Sequence, residues 1–127
     1  MIFCDSMRDA AGQVVDQLVE AVGAVRAVVV SSEDGFELVS RAPDKSHVSR
    51  LSAMASSMTA LGAMAGEECE IGGFRSITLE AEDGFILMLL AQHPDGNLIL
   101  SVIAESKAVI GQVLLYSKRA VMQLQQV

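Results

Sequence analysis

The spacing of apolar residues changes several times along the chain, and each change marks an element. Ala11, Val14, Val15, Leu18 and Val22 recur at helical intervals, with Arg8, Asp9, Gln13, Asp16, Gln17 and Glu20 on the other side, which predicts an amphipathic helix with one buried face. Ser6, followed three residues later by Asp9, has the form of its N-cap, and Gly23 can terminate it. From Val25 the spacing gives way to the β-branched run Val28-Val29-Val30, which suits a buried strand. Glu33-Asp34-Gly35-Phe36 ends that run and returns as Glu82-Asp83-Gly84-Phe85, and Asp95-Gly96 follows Pro94. Asp-Gly supplies the positive φ that tight hairpin turns require. These turns delimit five predicted strands, roughly 25–32, 36–42, 74–81, 85–92 and 97–103. The flanks of the two Glu-Asp-Gly-Phe copies do not align, so one turn solution is used twice and no unit is duplicated.

Between the first hairpin and the later three strands, Lys45 to Gly66 reads as a helix, bounded by Pro43 and by Glu67-Glu68. From Leu51 to Gly66 it carries no charge: Met54, Met58, Leu61 and Met64 stand among alanines and serines. A helix apolar nearly all round needs cover nearly all round. One side can pack on the sheet, but a chain of 127 residues has few elements left for the other. The small residues admit a second helix at close range, and a second copy of the chain could supply it through a two-fold contact. A last helix opens after Ser106, with Ile110, Val113, Leu114, Val121 and Leu124 at core spacing and Lys118 and Arg119 near its end, where cations complement the dipole. The order helix, two strands, helix, three strands, helix predicts one α+β domain over residues 1–127, built on a five-stranded, mostly antiparallel sheet.

Composition narrows the class. With 51% hydrophobic and 20% charged residues the chain is not disordered, and with 4% aromatics and no Trp its core is aliphatic and methionine-rich. The longest uncharged strip in the strand region, Phe85 to Ala91, is far short of the roughly 20 residues that span a bilayer. Met1-Ile2-Phe3-Cys4-Asp5 has neither the basic start nor the apolar stretch of an export signal, so a cytoplasmic protein with Cys4 and Cys69 as free thiols is expected. The formal charge of −7 argues against nucleic acid and anionic membrane as partners. Its acids gather at Glu33, Asp34 and Glu37 and again from Glu67 to Asp83, both read as solvated loops.

Catalytic constellations are missing from the sequence. It holds no phosphate loop and no G-x-S-x-G elbow, and Gly62, Gly66, Gly72 and Gly73 form no dinucleotide fingerprint. His47 and His93 read as solvated histidines, and with Cys4 and Cys69 they form no pairing that would pre-organise a metal; no cofactor and no enzymatic activity are expected. Glu67, Glu68 and Glu70 read as a solvated helix end, and Met54, Met58 and Met64 as gap-filling core ahead of an adaptable docking surface.

The element order and three segments resemble the Roadblock/dynein light-chain family, in its small bacterial form. The segments are Val22-Gly23 ahead of Val28-Val29-Val30-Ser31-Ser32, then Asp34-Gly35-Phe36-Glu37-Leu38-Val39-Ser40, and Gly96-Asn97-Leu98-Ile99-Leu100-Ser101-Val102 leading into the last helix. The resemblance spans essentially the whole chain. It implies a three-layer sandwich with the first and last helices on one face of the sheet and the middle helix on the other. It also implies a homodimer in which middle helices pack together and third strands pair. The implied interface residues are Leu51, Met54, Ala55, Met58, Leu61 and Ala65 with Ile77 and Leu79; periodicity leaves open which of the helix residues face the sheet.

Functionally, the resemblance implies a non-enzymatic scaffold that binds a small Ras-like GTPase in bacterial signalling or polarity. Docking is expected on the paired middle helices near Lys45, His47 and Arg50. No arginine sits in a recognisable finger loop, and Arg50 and Arg75 are only conveniently placed, so any stimulation of hydrolysis would come from ordering the partner's own switches. The rival readings are a small-molecule-sensing or general interaction domain of the profilin, longin or PAS kind, which an internal cavity would mark, and an enzyme, which a polar cluster in a cleft would mark.

Overall fold

A computed structural model describes residues 4–127. Met1, Ile2 and Phe3, on which the reading against an export signal partly rests, lie outside the described residues. The elements are α1 (Asp5–Ala21), β1 (Val25–Ser32), β2 (Glu37–Arg41), a 3-10 turn (Lys45–His47) running into α2 (Val48–Glu68), β3 (Ser76–Ala81), β4 (Gly84–Ala91), β5 (Leu98–Glu105) and α3 (Ile110–Leu124). This is the predicted α+β order. The five strands form one antiparallel sheet in the order β2-β1-β5-β4-β3, with β5 inserted beside β1 at the centre.

Alternation along the strands divides two cores. Val28, Val30, Leu87, Leu89, Leu98, Leu100 and Val102 point to one face, where α1 lies over β1 and β2 and α3 over β4 and β5. Val29, Met88 and Ile99 point to the other, where α2 covers them with Val48, Leu51 and Ala55. This second core is the smaller one, and the buried hydroxyls of Ser31, Ser52 and Ser101 have no hydrogen-bond partner among the described residues. The helix is also tied at its flank: Ser56 Oγ donates to the Glu33 carbonyl, and Gly35, with φ of 95°, nests against Ala53.

Several local expectations differ from the structure. The N-cap of α1 is Cys4, and Ser6 falls inside the first turn. The helix stops at Ala21, and Gly23 does not adopt a positive φ. Gly35 and Gly96 supply the expected positive φ, but Gly84 does not: the turn is Glu82-Asp83, and Gly84 already pairs with Ala81 as the first residue of β4. Glycine is required there because a Cβ would collide with the Ala104 carbonyl of β5. In α3 the buried stripe is Val113, Ser117, Ala120 and Leu124; Ile110 is exposed, and Lys118 and Arg119 sit before the last turn. His93 is buried. Its Nδ1 accepts from the Asp95 N–H, so Nε2 carries the proton and donates to the Val127 carbonyl.

Candidate interaction surface

α2 and β3 together leave an apolar surface of the fold uncovered. The helix turns Val48, Leu51, Ser52, Ala55, Thr59 and Gly66 inward at intervals of three and four. Its other side carries Met54 (53% exposed), Leu61 (62%) and Met64 (65%), with Met58 half-buried at the margin. Residues 54, 58, 61 and 65 recur at alternating spacings of four and three, the pattern with which one helix seats on another. Burying one such Leu or Met fully is worth about 1.5–3 kcal/mol. The expectation that the methionines fill core is therefore corrected: Met54 and Met64 face outward.

The eight expected interface residues separate. Leu51 and Ala55 are taken up by the chain's own core beneath α2 and do not reach the outer stripe. Met54, Met58, Leu61 and Ala65 line or flank that stripe. Ile77 and Leu79 lie in register with Met88 and Ile86, which puts them on the α2 side of the sheet. β3 is drawn up to the helix at Gly62, where a Cβ would meet the Phe74 ring at 2.9 Å and Ile77 at 3.3 Å. Sequence reasoning passed over Ile71, in the connection that follows α2, as an exposed apolar residue.

The backbone of β3 extends this surface. Leu90 N–H donates to the Arg75 carbonyl, so in the alternation of an antiparallel ladder Ile77, Leu79 and Ala81 bond to β4 while Ser76, Thr78 and Glu80 direct N–H and C=O outward. Among the described residues no side chain covers those groups. The opposite edge is closed. Arg8 Nη1 donates to the Leu38 carbonyl at 2.7 Å, and Arg41 Nη1 and Lys45 Nζ donate to the Ser40 carbonyl at 2.9 and 3.1 Å.

The three expected partner-binding residues are not equivalent. Lys45 also donates to Ser40 Oγ, which commits it to the β2 edge. His47 is exposed, 3.3 Å from Asp44. The Asp44 carboxyl is held below its usual range by the Ser46 hydroxyl and then by the Ser46 N–H. Arg50 is exposed on α2. Beside His47 a groove of 260 Å³ opens between the start of α2 and the sheet, lined by Val29, Pro43, Val48, Leu51 and Ile103 and rimmed by Arg26. Nothing in local sequence marks Arg26, because only the β1–β5 pairing brings it beside Ile103. Among the described residues no group of three or more His, Cys, Asp or Glu stands together as a metal site, and no helix is long and apolar enough to cross a membrane.

The Roadblock/LC7 domain family matches residues 12–104, from the middle of α1 to the end of β5. The chain belongs to this family. The Roadblock fold extends over almost all of it in three solved structures. Gliding protein MglB from Thermus thermophilus is 18% identical with a TM-score of 0.87, over 99% of this chain and 93% of that one. MglB from Myxococcus xanthus is 16% identical with a TM-score of 0.85, over 99% and 92%. A Roadblock/LC7 domain from Streptomyces avermitilis is 22% identical with a TM-score of 0.82, over 91% and 94%. At these identities the likeness is one of fold. No curated protein matches the chain.

Proposed function

We propose that this Roadblock chain is a non-enzymatic scaffold of the cytoplasm that regulates a small Ras-like GTPase and acts as a homodimer. The observation that carries the reading is the coincidence, on one side of the molecule, of an open strand edge and an uncovered apolar helix stripe. A second copy related by a two-fold axis meets both needs at once: β3 pairs with β3 about Thr78, and Met54, Met58, Leu61 and Ala65 pack on their counterparts. Leu51 and Ala55 support that helix from below, and Ile77 and Leu79 line the seam.

The GTPase docks on the outer face of the paired α2 helices. His47 and Arg50 border that face, and Arg26 rims the apolar groove beside it. Arg50 stands on α2, and Arg75, exposed in the connection between α2 and β3, has its carbonyl tied to the Leu90 N–H; the scaffold orders the partner's switch segments and leaves the chemistry to the partner's own residues.

Light scattering on wild type and Met58→Glu at about 1 M salt, where contacts between charges are screened, and, separately, binding of a Ras-like GTPase in its GTP- and GDP-loaded forms test both parts. A wild-type dimer that dissociates in the variant and prefers one nucleotide state supports the reading. A wild-type monomer removes the dimer, and unchanged affinity in a His47→Glu, Arg50→Glu variant removes the docking site.

A further inference from the structure

The two helices on the far face of the sheet present opposite chemistry outward. α1 buries Met7, Ala11, Val14, Val15 and Leu18, which leaves Asp9, Gln13, Asp16 and Glu20 as an acidic ridge along its other side. Asp16 is paired with Arg41 at 2.7 Å, so Asp9 and Glu20 are the carboxylates most available for a partner. α3 contains no acid. Opposite its buried stripe it carries Leu115 (48% exposed), Lys118, Arg119 and Met122 (66% exposed). Neither cation lies in the last turn, so the helix dipole does not account for them. Arg119 is held over the Tyr116 ring, 5.2 Å from its centre, beside a groove that Val14, Ala21 and Ala120 line between the two helices.

We propose that this α1/α3 face is a second self-association surface, on which another copy of the chain docks with its acidic α1 ridge against the basic, apolar α3 ridge, and the reverse. A two-fold axis running along the helices in the plane of contact sets each α1 over the partner's α3, so a face with one ridge of each sign is complementary to itself. Leu115 and Met122 then become the covered centre, and the charges steer and register the approach. Anionic lipid is the other surface a basic amphipathic helix attracts. It would meet Asp9, Asp16 and Glu20 alongside, in a protein of net charge −7. The face lies across the sheet from α2, so one chain can make both contacts, and this inference does not rest on the GTPase reading.

Sedimentation velocity over a concentration series at low and high salt tests it. The chains compared are wild type, Lys118→Glu/Arg119→Glu, and that pair combined with Asp9→Lys/Glu20→Lys, all in the wild-type and Met58→Glu backgrounds. These positions are exposed, so the chains fold. Association at low salt weakens by about tenfold or more in the double variant and returns in the quadruple one. In the Met58→Glu background the α1/α3 contact survives as a salt-sensitive dimer, which separates its failure from that of the α2/β3 pairing. Equal masses for wild type and the double variant at every salt concentration overturn the proposal. So does retention of wild type on phosphatidylserine vesicles without salt-sensitive self-association, which would assign the face to lipid.

Discussion

At β2 the carbonyls of Leu38 and Ser40 are taken up by Arg8, Arg41 and Lys45, the pairing with β1 skips Leu38, and α1 lies alongside; at β3 the polar groups of Ser76, Thr78 and Glu80 face outward, and among the described residues no side chain bonds to them. Bulges, charged caps and a covering helix are the means by which a sheet edge is withheld from other strands. Among the described residues the bulge and the charged caps stand only at the β2 edge, while α2 meets β3 on the face of the sheet and leaves its edge open. An edge left open beside Met54, Leu61 and Met64 can serve as a template, and the contrast supports the proposed continuation of the sheet on that side. The same asymmetry divides the two faces: the core under α1 and α3 is large and closed, whereas the core under α2 is small and its helix exposes an apolar stripe.

The contrast can be broken first at the open edge. Because the Thr78 N–H points away from β4, Thr78→Pro removes an outward donor without breaking the β3–β4 ladder. The dissociation constant of the pair is expected to rise by about a hundredfold or more, some 3 kcal/mol, with the monomer's circular dichroism unchanged. Removing the caps tests the closed edge. Arg8→Ala/Lys45→Ala leaves the carbonyls of Leu38 and Ser40 without those donors, and urea denaturation is expected to report a loss of about 1–2 kcal/mol together with faster aggregation.

A gain of stability is expected in the connection that delivers β3. α2 ends in a Schellman turn, in which Ile71 N–H donates to the Gly66 carbonyl and Glu70 N–H to that of Glu67, and Glu70 occupies the left-handed position at φ of 58°. Glu70→Gly relieves that conformation and should raise the unfolding free energy by about 1 kcal/mol without changing the mass in solution. The smallest effect is a pH dependence at the foot of the β2 edge. Asp44 has a folded pKa below its unfolded value, so its contribution is present above about pH 4 and disappears as pH falls through the folded value. Acid titration of stability should be shallower in Asp44→Ala than in wild type over that window.

How much was legible in the sequence depends on how local the cause is. β1 is predicted residue for residue, because a β-branched run ended by a glycine turn is decided within a few positions. Gly84 does not serve the turn that its local sequence suggests, since what requires it is the Ala104 carbonyl on a neighbouring strand. In α3, periodicity favours aliphatic side chains such as Ile110 and Val121, whereas the buried stripe includes the small Ser117 and Ala120, which hydrophobicity does not pick out. α2 was opaque for the opposite reason: with apolar residues on every side, no period distinguishes Leu51 and Ala55, which face the sheet, from Met54 and Leu61, which do not. The closed edge could not be foreseen at all, because Arg8 reaches Leu38 across 30 positions of sequence.

The central claim, that the α2/β3 face is completed by a second copy of the chain, is tested most directly by the mass in solution of wild type, Met58→Glu and Thr78→Pro. Measurement at about 1 M salt, where charges are screened beyond about 3 Å, keeps contacts between the charged ridges from contributing. The account predicts twice 13.5 kDa for wild type and 13.5 kDa for both variants. A wild-type mass of one chain, or a dimer that neither variant disturbs, would contradict it.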